Sequence, residues 1–73
     1  MKTSICKLRK QKKMTQEELA KVVGVTRQTI NSIESEKYVA SLVLAYKIAY
    51  FFGCKIEEVF DFSEVREEQD EKI

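Results

Sequence analysis

The sequence predicts an all-α fold, a compact arrangement of five short helices. Three observations carry this: there is no proline and only two glycines in 73 residues, apolar residues recur at spacings of three and four, and good capping residues precede the apolar runs.

Ile5 and Leu8 form a short apolar stripe among Lys7, Arg9, Lys10, Lys12 and Lys13, which predicts a first helix from about Thr3 to Lys12. Met14 then packs inward at its end. Thr15-Gln16-Glu17-Glu18 reads as a capping box, in which the Thr15 hydroxyl and the Glu18 carboxylate satisfy each other's unpaired backbone N–H groups. A second helix therefore starts at Gln16, presents Leu19, Ala20 and Val23 on one side, and stops at Gly24. Thr26 caps a third helix from Arg27 to about Ser35, with Ile30 and Ile33 facing inward. Ser41 caps a fourth, Leu42 to Phe52, whose only polar interior residue is Lys47 and which Gly53 ends. A fifth turn or two covers Ile56 to Phe60. The alternation in Phe60-Asp61-Phe62-Ser63 leaves room for a very short strand, and residues 64–73 read as a charged tail that frays or extends a helix end.

Length and composition bound the function. One compact unit, residues 1–63, is expected, followed by the tail. No metal is expected: histidine is absent, and Cys6 and Cys54 match no zinc spacing. Two isolated cysteines fit free thiols in a reducing compartment better than a disulfide. No apolar run suits a bilayer and the basic N-terminus lacks the core of a secretion signal, so a cytoplasmic location without membrane contact is expected. Catalysis is disfavoured, because there is no histidine base, no glycine-rich phosphate cradle and no cysteine with a histidine partner.

The formal charge of +1 conceals a gradient. Residues 1–37 carry +5, residues 38–63 carry −1 and residues 64–73 carry −3. Local positive charge is what neutralises phosphates, so the front half is the side that suits a polyanion; a solubilising surface is the other reading of charge alone.

Two short helices joined through Gly24 cross tightly only with a small residue facing the partner helix, a flexible residue in the turn and apolar residues behind both. Ala20, Gly24, Val25, Ile30 and Ile33 supply that set in order. This is the helix-turn-helix arrangement, placed at residues 16–34, whose second helix exposes its front to the major groove of double-stranded DNA.

The segments Leu8-Arg9, Met14-Thr15-Gln16-Glu17-Glu18-Leu19-Ala20, Gly24-Val25-Thr26-Arg27-Gln28-Thr29-Ile30, Ile33-Glu34 and Lys37-Tyr38 resemble the phage repressor and Cro type of helix-turn-helix, the XRE family. Ser41-Leu42, Lys47-Ile48-Ala49, Phe52-Gly53 and Ile56-Glu57-Glu58-Val59-Phe60 extend the likeness, so that it covers about residues 4–60 of a short, stand-alone member. The resemblance implies a repressor-like DNA-binding fold in which Arg27, Gln28, Asn31 and Ser32 meet base edges. The chemistry suits them: Arg pairs bidentately with guanine, and Gln or Asn with adenine. It also implies that Gln16, Thr26, Thr29 and Lys37 position the phosphates. Arg9 and Glu34 match a structural ion pair between the first and third helices, with Ala20 and Gly24 as scaffold. Capping alone already accounts for Thr15 and Thr26.

Two departures stand out. Ser35-Glu36 occupies a place where members of that family usually have glycine, so a left-handed turn there is strained, and the Glu36 carboxylate lies near the expected phosphate track. Ala40 stands where many members have proline.

The fourth helix is apolar over more of its circumference than one core face requires. Tyr50, Phe51, Ile56, Val59, Phe60 and Phe62 are the sequence's candidates for a two-fold interface, so a homodimer is expected. The function predicted is that of a sequence-specific transcriptional regulator, a repressor on a near-palindromic operator, with no cofactor and no small-molecule ligand. The alternative is a protein-interaction module, an antitoxin or adaptor, built on the same fold.

Overall fold

In the computed structural model, which describes the backbone of residues 1–72 and the side chains of residues 1–70, the protein is all-α. The helices are α1 (Ile5–Gln11), α2 (Gln16–Val23), α3 (Arg27–Glu34), α4 (Leu42–Phe51), α5 (Ile56–Val59) and α6 (Ser63–Lys72). Ile73 lies outside the described residues.

Local chemistry sets most helix starts. Thr15 Oγ1 accepts the Glu18 N–H at 3.1 Å while the Glu18 carboxylate accepts the Thr15 N–H at 2.9 Å, completing the capping box. That donated backbone N–H holds the Glu18 carboxyl below its ordinary pKa. Thr26 Oγ1 accepts the Thr29 N–H and Ser41 Oγ the Leu44 N–H, each at 3.2 Å, so α3 and α4 begin where the capping residues predict.

Four helices end on one shared device. A residue in the left-handed region, at φ between 54° and 79°, is followed by an N–H that reaches back five residues. The left-handed residues are Lys13, Gly24, Glu36 and Gly53; the closing bonds are Met14 to Arg9, Val25 to Ala20, Lys37 to Ser32 and Cys54 to Ala49. Each bond adds a donor to a carbonyl of the last helical turn and closes the helix end.

The core lies where these helices meet. Ile5 from α1, Leu19, Ala20 and Val23 from α2, Ile30 and Ile33 from α3, Leu44, Ala45, Ile48 and Ala49 from α4, and Val59 and Phe60 form one buried cluster. α2 packs chiefly on α3 and also on α4, and α4 packs on α5. Leu8 and Met14 are half-buried against the cluster, as their place in the pattern predicts.

Two expectations change and a third narrows to one outcome. α1 begins at Ile5 rather than Thr3, because Thr3 pairs with Phe60 in an isolated antiparallel bridge flanked by Ser4 N–H to Val59 carbonyl (2.8 Å) and Asp61 N–H to Lys2 carbonyl (2.9 Å). That bridge is all that appears of the expected strand: among the described residues no strand forms at 60–63. The chain turns into α6 instead, since the Asp61 carboxylate accepts the Ser63 N–H at 2.9 Å and the Ser63 hydroxyl at 2.6 Å. Those two bonds keep the Asp61 carboxyl below its ordinary pKa. The stretch read as a charged tail is therefore helical through Lys72, with every side chain from Ser63 to Asp70 exposed.

Candidate nucleic-acid interface

α3 divides cleanly by face. Ile30 and Ile33 are sealed in the core, at 0 % and 1 % exposure. At about 100° per residue, Arg27, Asn31, Gln28 and Ser32 follow one another around an outward arc of about 140° on the opposite side. Arg27, Gln28 and Asn31 are exposed and Ser32 is half-buried. The structure thus brings the four expected base-reading residues together on one surface, backed by a helix whose inner face cannot rotate without exposing the core.

Two polar concavities flank that surface. One is lined by Arg27 with Arg9, Thr15, Gln16 and Glu17 from α1 and the start of α2. The other is lined by Gln28 and Ser32 with Thr26, Thr29 and Tyr38. Of the residues expected at phosphates, Thr26 and Thr29 line the second hollow, and Lys37 is exposed in the turn after α3. Tyr38 belongs to this second group and sequence reasoning gave it no role; its place beside Ser32 follows from the left-handed turn at Glu36.

Gln16 is more constrained than expected. Its amide donates to Glu34 Oε1 at 3.2 Å, joining the ion pair that ties α1 to α3. That pair is bidentate: Arg9 Nε to Glu34 Oε2 at 2.9 Å and Nη2 to Oε1 at 3.1 Å, both side chains largely buried. Arg9 Nη1 also donates to the Met14 carbonyl at 2.8 Å, and Nη2 lies 3.7 Å from the Cys6 sulfur. Burial opposes ionisation of Glu34, but the bonds from Arg9 and Gln16 outweigh it and leave its pKa below the ordinary value. The bond to Glu34 raises the Arg9 pKa against a smaller penalty of burial. The network fixes the distance between the start of α2 and the end of α3. One Gln16 amide hydrogen is committed inward and the second remains for an outside acceptor.

The apolar surface expected at an interface is redistributed. Val59 and Phe60 are core residues, 1 % and 3 % exposed, because α5 folds back beneath the Thr3–Phe60 bridge; neither can touch a second molecule. Phe51, Ile56 and Phe62 are half-buried and Tyr50 is 74 % exposed. The exposed apolar stripe instead runs along the outer side of α4 through Leu42, Val43, Tyr46 and Tyr50, with Tyr46 and Tyr50 stacked at 5.9 Å. Val22 of α2 joins it, forming with Lys21, Tyr46, Lys47, Tyr50 and Phe51 a shallow groove. Its off-stripe place, beside the inward Leu19, Ala20 and Val23, was the available sequence signal. The Lys12 ammonium, next to this surface, stands 5.8 Å over the centre of the Phe51 ring. Among the described residues no helix is long and apolar enough to cross a membrane.

Two capped helices crossing through a glycine turn, with a polar front on the second, define a helix-turn-helix protein. Residues 7–59 match the family model described as helix-turn-helix. The chain is 56 % identical over 64 residues to an uncharacterized HTH-type transcriptional regulator of Archaeoglobus fulgidus, covering 88 % of this chain and 90 % of the relative. It is 59 % identical over 51 residues to one from Methanocaldococcus jannaschii (70 % and 77 % covered) and 48 % identical over 60 residues to one from Bacillus subtilis (82 % and 91 % covered). The chain belongs to the XRE/Cro-type helix-turn-helix family, a family of DNA-binding transcriptional regulators rather than enzymes.

Proposed function

We propose that the protein is a sequence-specific repressor that binds a near-palindromic operator as a homodimer, one α3 in each of two successive major grooves about 34 Å apart. The observation that carries this reading is the outward arc of Arg27, Asn31, Gln28 and Ser32 on a helix whose opposite face is fully buried. Arg27 reads guanine and Gln28 or Asn31 reads adenine, while Lys37, Thr26, Thr29 and the free amide hydrogen of Gln16 hold the backbone. Tyr50 and Phe51, which share a groove with the exposed stripe of α4, supply the surface for the second copy together with the half-buried Ile56 and Phe62. Repression follows from occupancy, since a dimer seated on an operator sterically excludes other proteins from the same DNA.

Selection of bound sites from random DNA tests this directly. The expected result is a two-fold sequence with half-sites one helical turn apart. Arg27→Ala and Gln28→Ala relax the preference at individual positions by about 1–3 kcal/mol each, and Lys37→Ala weakens all sequences alike and flattens the salt dependence by about one unit. Unselective binding, or sedimentation as a monomer on operator DNA, refutes the reading.

One observation favours a second reading, a protein-interaction module such as an antitoxin or adaptor: the α2–α4 groove is apolar, exposed, and shares no residue with the hollows beside α3. Absence of salt-sensitive DNA binding selects it.

A further inference from the structure

The hollow on the Gln28 side of α3 has a volume of about 300 Å³. Each of its five lining side chains carries a hydrogen-bond donor and none is charged. The Thr26 and Thr29 hydroxyls lie 3.0 Å apart in a single hydrogen bond, and Thr26 Oγ1 also accepts the Thr29 N–H. This pair owns two hydroxyl protons and uses one between its members, so one proton is left for an outside acceptor whichever oxygen donates. None of the described hydrogen bonds uses the Tyr38 hydroxyl. Yet the Tyr38 backbone is held in place: its N–H and that of Lys37 both donate to the Ser32 carbonyl, at 3.2 and 2.9 Å, which ties the base of the half-exposed side chain to α3.

These hydroxyls and the Gln28 amide can each donate to a ligand that only accepts, and no carboxylate lies among them to repel an anion. Base edges in the major groove alternate donors with acceptors, whereas the non-bridging oxygens of a phosphodiester only accept. We propose that Tyr38 donates its hydroxyl to one DNA backbone phosphate, seated between it and the Thr26–Thr29 pair, and thereby sets how far Gln28 and Ser32 enter the groove. The inference rests on the DNA-binding function proposed above and adds a positioning residue to it. Because the seat is uncharged, it releases no counterion, so its contribution to affinity does not change with salt.

The test is fluorescence anisotropy of wild type and Tyr38→Phe on the selected operator and on random duplex across a range of salt concentrations. The phenylalanine keeps the ring and loses only the hydroxyl. Binding is expected to weaken about three- to tenfold on both duplexes, with the slope of log affinity against log salt unchanged. Replacing single phosphates by uncharged methylphosphonates should reveal one position that matters to wild type and not to Tyr38→Phe. Inorganic phosphate at matched ionic strength should compete no better than sulfate. Equal affinity of the two proteins overturns the proposal, as does a changed salt slope, which would trace the loss to a displaced cation. Preferential competition by free phosphate that Tyr38→Phe abolishes overturns the assignment to the DNA backbone. If wild type itself shows no salt-sensitive DNA binding, the proposed function falls with the seat; if it does, the Tyr38→Phe comparison decides the seat alone.

Discussion

The turns on either side of α3 use the same backbone geometry with different residues at the left-handed point. Before α3 that residue is Gly24, at φ 79°, where an added Cβ would meet nothing within 4 Å. After α3 it is Glu36, at φ 65°. Space is therefore not what requires glycine at the first turn; the backbone angle is, and the second turn adopts the same angle without glycine's freedom. What offsets the strain at the second turn is close at hand. Glu34, two residues upstream, is gripped by Arg9 and Gln16, and the Ser32 carbonyl takes two N–H groups from the turn. The entry to α3 is set by local conformation, and its exit is held by long-range bonds.

Breaking the exit should have the largest effect. Glu34→Ala leaves the largely buried Arg9 guanidinium without its carboxylate, and is expected to cost about 3 kcal/mol in urea unfolding. Loss of less than about 1 kcal/mol would mean that the pair behaves as an exposed one and does not hold the exit. The same pair gives the stability a pH dependence. Glu34 has a lowered folded-state pKa, so its contribution is fully present above the ordinary glutamate value of about 4.3 and is lost as pH falls through the folded pKa. Glu34→Gln should flatten that acid limb in melting curves recorded against pH.

Gly24→Ala should come next, at about 1–2 kcal/mol, read as a lower melting temperature. An unchanged melt would show that the entry turn relaxes out of the left-handed region. Glu36→Gly should act in the opposite sense, stabilising by about 1 kcal/mol, which in a domain this small raises the melting temperature by about 4–8 °C. It should also tighten DNA binding, by removing a carboxylate next to Lys37. Lys13, left-handed at φ 54° after α1, is the control for this pair of effects. Lys13→Gly should stabilise by a similar amount while slightly weakening DNA binding, because it removes a cation. Equal binding changes in the two variants would separate Glu36 from the DNA face.

The legibility of the chain follows the same division between local and distant causes. Thr15, Thr26 and Ser41 announce the starts of α2, α3 and α4 because a cap is a contact between residues three apart. The inward faces of α2 and α3 are legible because helical period fixes which residues share a side. Strain after α3 was readable from the missing glycine, and Glu36 carries it. Val59 and Phe60 were not readable. Flanked by Glu57-Glu58 and Asp61, they fit an interface as well as a core, and only the pairing of Phe60 with Thr3 decides between them. Of the two outcomes open for the charged tail, fraying or helix, α6 takes the second; its start depends on the bonds from Ser63 to Asp61, inside a segment whose alternation resembles a strand.

The sequence by itself determined an all-α chain and the inward faces of its central helices, since caps and helical period depend on spacings of four residues or fewer, and its family resemblance singled out Arg27, Gln28, Asn31 and Ser32 on the outward side. Tertiary structure alone decided which apolar residues stay exposed, that Gln16 is tied to Glu34, and that Tyr38 joins Thr26 and Thr29 in one hollow. Those features arise where helices cross and turns fold back. There, the partners are set by three-dimensional closure of the chain, which no local spacing records.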